Sequence, residues 1–97
     1  MKLISRADAE KWATWFRALA DPTRLQVLNA IARHGPLSIG ELVDRVDIGQ
    51  STVSHHVRLL AQSEFIVHER DGTTSRVSVN PDCLAALPDA ARTVLGQ

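Results

Sequence analysis

The stretch Gly49-Gln50-Ser51-Thr52-Val53-Ser54-His55-His56-Val57-Arg58-Leu59-Leu60 (GQSTVSHHVRLL) sets hydroxyl side chains, paired histidines and an arginine among branched apolar residues. Such a set suits a metal site, a catalytic group or a surface that reads a nucleic acid. Each use needs its own geometry, and a helical period of about 100° per residue decides between them. Val53, Val57 and Leu60 then fall on one side of a helix predicted over Gln50–Ser63. Ser51, Ser54, His55 and Arg58 fall on the opposite side, within roughly a third of a turn. The core claims the first set. The second is a polar stripe, with Gln50 and Thr52 at the helix start. Gln pairs bidentately with adenine, Ser and Thr bond several base edges, and Arg takes guanine or phosphate.

The competing uses fare worse. His56 points about 100° away from His55, toward the edge of the buried face, and reads as a packed, hydrogen-bonded histidine. Adjacent helical residues diverge, so His55 and His56 do not chelate one ion. Ser51 and His55 could touch as nucleophile and base, but neither an orienting acid nor a glycine-rich elbow accompanies them. The chain is therefore read as a binding protein and not an enzyme. A solvated face on a structural helix is the remaining alternative, and the flanking elements weigh against it.

Upstream, Ser38-Ile39-Gly40-Glu41 is a capping box opening a short helix that carries Leu42, Val43 and Val46 inward. Asp47-Ile48-Gly49 makes a tight turn. Earlier still, Asp21-Pro22 starts a helix with Leu25, Leu28 and Ile31 as its buried face, ended by Gly35-Pro36. From Ala7 to Leu19, Trp12, Trp15, Phe16 and Leu19 form one apolar stripe, either core or dimer contact. Downstream, Phe65–Arg70 reads as a strand, Asp71-Gly72 as a hairpin turn and Arg76–Val79 as the returning strand. Asn80-Pro81-Asp82 opens a last helix that runs to about Leu95, with Pro88 the place for a break. The fold predicted is mostly α with a small β-hairpin: a winged helix-turn-helix over residues 1–97 as one domain. In such a layout the hairpin tip meets the DNA backbone through Arg70, Thr73, Thr74 and Arg76. Glu69 and Asp71 weaken the local field there.

Composition narrows the class. The 97 residues are 44% hydrophobic and 23% charged, as in ordinary globular proteins. Eleven basic and eleven acidic residues give a net charge of zero, which argues against a nonspecific polyanion binder. It does not argue against a reader of specific sites, which needs only a local basic face. No apolar run approaches the ~18–20 residues of a membrane span, and MKLISRADAEKW lacks a signal-peptide core. A cytoplasmic protein is expected. The lone Cys83 forms no intrachain disulfide and no paired-cysteine zinc site. No cofactor is predicted.

With these residues in view, the chain resembles the ArsR/SmtB family of bacterial winged-helix repressors. The match begins at Phe16-Arg17-Ala18-Leu19-Ala20-Asp21-Pro22-Thr23-Arg24-Leu25, continues through Ser51–Leu60 and ends in the wing Arg70-Asp71-Gly72. It covers residues 12 to 95. The resemblance implies a homodimer built by the first and last helices, a palindromic double-stranded DNA operator, and repression relieved by a small-molecule inducer. Trp12, Trp15, Phe16 and Leu19 with Leu84, Leu87, Val94 and Leu95 would form the dimer face. Gln50, Ser51, Ser54 and His55 would contact DNA.

The inducer is where this sequence departs from the family's metal sensors. Their cysteine phrase ELCVCDL aligns with Pro36–Leu42, so Ser38 and Gly40 replace the cysteines, and the last helix holds Asp82 and Asp89 but no histidine. No metal site is therefore expected, and arsenite, cadmium, zinc and nickel should leave the operator complex intact. A rival reading uses Cys83 from two chains as a thiol or metal sensor. Another treats the winged helix as a protein-interaction module, which steep salt dependence of DNA binding would exclude.

Overall fold

The structure, a computed structural model, describes residues 2–97. These form α1 (Arg6–Ala18), α2 (Pro22–His34), α3 (Ile39–Val46), α4 (Gln50–Gln62), β1 (Ile66–Asp71), β2 (Thr74–Val79) and α5 (Pro81–Val94). Five helices and one antiparallel hairpin in this order make a winged helix-turn-helix. Most helix starts follow from local chemistry. The Ser5 hydroxyl accepts from the Asp8 amide at 3.0 Å, and the Asp21 carboxylate from the Arg24 amide at 2.8 Å. The Ser38–Glu41 capping box closes in both directions, and Asn80 caps α5. Left-handed Asp47 (φ 54°) turns the chain from α3 toward α4.

The core joins Val27 and Ile31 of α2, Leu37, Leu42 of α3, and Val53, Val57 and Leu60 of α4 to Phe65, Ile66 and Val77. One expected core residue lies elsewhere: Leu25 is 48% exposed, and Val27 is buried in its stead. α2 meets α3 and α4 along its Val27–Ile31 side, which turns Leu25 toward a groove beside α5. Pro88 does not break the last helix either, since α5 is continuous from Pro81 to Val94. Pro88 and Leu84, whose carbonyl it deprives of a donor, are both exposed, on a side of the helix turned away from the core.

The wing runs longer than its sequence suggested. β1 pairs with β2 from Ile66↔Val79 to Asp71↔Thr74, so the return strand begins at Thr74, ahead of the expected Arg76. The loop is Gly72-Thr73, not Asp71-Gly72. Positive φ at Gly72 (64°) alone is the pattern of a type II′ turn. Leu37 adds a single bridge to β2, exchanging backbone hydrogen bonds with Val77 at 3.0 and 2.8 Å, which pins the wing to the start of α3. At the other end of α4, Glu64 adopts left-handed φ (65°). The Asn80 side chain donates to the Glu64 carbonyl at 2.9 Å, and the Asn80 amide donates to the Phe65 carbonyl at 2.9 Å. This clamp joins the end of α4 to the start of α5.

The outer helices are less buried. α1 contains no buried residue and α5 only Ala90. No helix among the described residues is long and apolar enough to cross a membrane.

Candidate nucleic-acid interface

Hydrophobic burial orients α4. With Val53, Val57 and Leu60 in the core, Ser51, His55 and Arg58 stand exposed and Ser54 half-buried on the far side, while Gln50 and Thr52 are exposed at the helix start. Gly49 has no side chain with which to cap the helix, so the first-turn amides of α4 carry no side-chain cap. Ser54 and Arg58 also line a groove of about 520 Å³ with Ile39, Gln62 and His68 of β1. The sequence reading placed His68 in a strand but gave it no part in the site. Strand alternation carried outward from buried Ile66 would have found it.

The same alternation separates the wing arginines. Arg70 shares a face with His68 and lies opposite Ser75. Arg76 lies on the other face, opposite Glu69. The Glu41 carboxyl is held below the usual carboxylate range by the Ser38 backbone amide and hydroxyl, and Arg76 and Arg45 add to this by their charge. Arg76 is thus paired across the hairpin with Glu69 and feels the Glu41 charge, whereas Arg70 is on the strand face that carries His68. Thr73 and Thr74 are exposed at the tip.

His56 is buried, at 8% exposure. Its Nδ1 accepts from Arg24 Nε across a long 3.4 Å, and its Nε2 lies 3.9 Å from Asp21 Oδ2. Burial lowers its pKa below the ordinary 6.5, Asp21 opposes this, and Arg24 and His55 reinforce it. The unfolded chain thus binds this proton more readily than the folded one. The His56 contribution to stability is complete above pH 6.5 and is lost as pH falls below that value toward the folded-state pKa. Urea midpoints measured across this range should drop further for the unmodified protein than for His56→Asn. Parallel curves would refute the assignment.

The residues expected at a dimer face differ in exposure. Phe16 is 38% exposed, Leu84 63%, Val94 50% and Leu95 75%. Trp12 is half-buried, while Trp15, Leu19 and Leu87 pack partly against the core. Between α2 and α5 runs an apolar groove of about 360 Å³, lined by Leu25, Leu28, Leu84, Leu87 and Cys83 among others. Burial pushes the Cys83 thiol pKa up, so it stays protonated at neutral pH despite its place in the first turn of α5. Among the described residues, no group of three or more His, Cys, Asp or Glu could hold a metal ion.

A family model described as a helix-turn-helix domain matches residues 19–69. The transcriptional regulator NmtR of Mycobacterium tuberculosis is 36% identical over 89 residues, covering 92% of this chain and 72% of that protein. A probable mercury resistance operon repressor of Streptomyces lividans is 41% identical over 80 residues, covering 82% of this chain. The chain spans only 63% of that repressor's length. This chain belongs to the ArsR/SmtB family. A solution structure from Mycobacterium bovis shares the fold with a TM-score of 0.73, at 22% identity over 99% of this chain and 91% of that one. That protein is a homodimeric winged helix-turn-helix DNA-binding domain of a possible ArsR-family regulator. As a family member, this ArsR/SmtB protein is a DNA-binding transcriptional regulator. Its relatives include transcriptional repressors, among them SdpR of Bacillus subtilis.

Proposed function

We propose that this ArsR/SmtB regulator binds a palindromic operator as a cytoplasmic homodimer and represses transcription from it. Residues 1–97 act as one winged-helix domain whose first and last helices dimerise. The observation that carries this reading is the polar face of α4, open from Gln50 to Arg58 beside a groove edged by the wing. Gln50, Ser51, Thr52, Ser54 and His55 read base edges, while Arg58, Arg70, Thr73 and Thr74 hold the backbone. Arg76, drawn toward Glu69 and Glu41, contributes less to phosphate binding than Arg70. A small-molecule inducer releases the dimer from DNA. It is not a metal ion: Ser38 and Gly40 replace the sensor cysteines, and a lone, half-buried thiol is a poor ligand.

The test is binding to an operator selected from a randomised duplex pool. Ser54→Ala and His55→Ala should each cost about 1–3 kcal/mol on that operator and little on scrambled DNA. Arg70→Ala should weaken both duplexes alike and flatten the salt dependence by roughly one phosphate contact. Operator affinity that survives both α4 substitutions would sink the assignment. Salt-insensitive binding would favour a protein-interaction module.

A further inference from the structure

His56 is the one buried polar side chain among the described residues, and it follows directly on exposed His55. The guanidinium that bonds it does a second thing. Arg24 Nη1 donates to the carbonyl of Ala18, the last residue of α1, at 2.7 Å. Arg24 thereby ties the end of α1 and the first turn of α2 to the middle of α4. Because Nδ1 accepts from Arg24, the neutral imidazole carries its proton on Nε2, the nitrogen that faces Asp21.

We propose that Arg24 and His56 form a brace that sets the position of α4 for operator reading, making His56 a positioning residue that touches no base. The inference rests on the reading of base edges by α4 put forward above. Any roll of α4 that separates His56 from Arg24 carries Ser51, Ser54 and His55 through the same angle, because they share one rigid helix. Hydrogen bonds to base edges are directional, so such a roll weakens sequence reading while leaving general attraction to phosphates in place.

Protonation gives the brace a chemical release. A proton on Nδ1 faces a guanidinium, which has donors only, so the bond is lost and two positive charges adjoin. The charged groups facing the ring are Asp21 and Arg24 from α2 and His55 from α4; Asp21 favours the protonated form and the other two oppose it. Any net positive charge the protein gains in acid acts with the opposite sign, strengthening attraction to any duplex. Loss of specificity and gain of general affinity are therefore separable.

The experiment measures affinity for the pool-selected operator and for a scrambled duplex of equal length between about pH 5.5 and 7.5. At the upper pH, His56→Leu and Arg24→Met should each lose about tenfold on the operator and nothing on the scrambled duplex, and the double variant should lose no more than either single one. His56→Asn, whose amide oxygen can stand in for Nδ1, should stay within about threefold of the unmodified protein. The ratio of operator to scrambled affinity should fall with acid in the unmodified protein and stay flat in His56→Asn. Equal losses on both duplexes, or no loss from His56→Leu while Ser54→Ala does lose affinity, would overturn the brace alone. No loss from Ser54→Ala would instead overturn reading by α4. Should His56→Leu fail to fold, the pH comparison with His56→Asn decides by itself: identical ratios across the range refute the proposal.

Discussion

Leu84→Asp is expected to raise the dimer dissociation constant by about 10²–10⁴, because a two-fold interface counts each substitution twice and every buried leucine contributes about 1.5–3 kcal/mol. Leu84 is 63% exposed in the monomer, so the substitution costs the isolated fold little. Leu95→Asp, at 75% exposure, should act in the same direction. Trp15 is the poorer probe: it packs partly against the core, and Trp15→Asp would confuse unfolding with dissociation. Sedimentation at micromolar concentration, with circular dichroism as the check on folding, gives the result. A variant that stays fully dimeric would remove Leu84 from the interface. A well-behaved monomer of the unmodified chain would remove the interface altogether.

Phe65→Ala should lower unfolding free energy by about 3–5 kcal/mol, a large share of the roughly 5–15 kcal/mol that holds a small domain together. Phe65 is 2% exposed and is among the largest fully buried side chains. It fills the space where the end of α4 meets β1, and it floors the groove between α2 and α5. Truncation would deepen that groove with apolar walls, and water entering it would find few partners. The urea midpoint should fall with the slope nearly unchanged. A loss below about 1 kcal/mol would mean that neighbouring side chains collapse into the space.

The sequence showed what is local. Caps at Asp21, Ser38 and Asn80 are each settled within four residues, and the helix starts followed from them. The exposed face of α4 was legible because Val53, Val57 and Leu60 leave one orientation open. What escaped depends on distant partners. The phase of α2 turned on where α3 and α4 press, which periodicity among Leu25, Val27, Leu28 and Ile31 does not specify. The Leu37–Val77 bridge and the Arg24–His56 bond join residues far apart in the chain. His56 read as a packed, bonded histidine from its place on the helix alone, yet its partner had no local signature. The unequal surroundings of Arg70 and Arg76 needed the wing's register, and that needed the position of the turn.

The clamp of Asn80 on Glu64 has a mechanical consequence. It places the joint between α4 and α5 at the opposite end of the helix from Gln50 and Ser51. α4 is 13 residues long, a rod of about 20 Å at 1.5 Å per residue. Gln50 and Ser51 thus sit the full length of that rod away from the two hydrogen bonds that join α4 to α5. A tilt of about 5° there sweeps the tip through nearly 2 Å, enough to break a hydrogen bond to a base edge. If α4 reads bases as proposed, the length of the rod, more than the size of any local shift, sets how far a movement at α5 would displace Gln50 and Ser51.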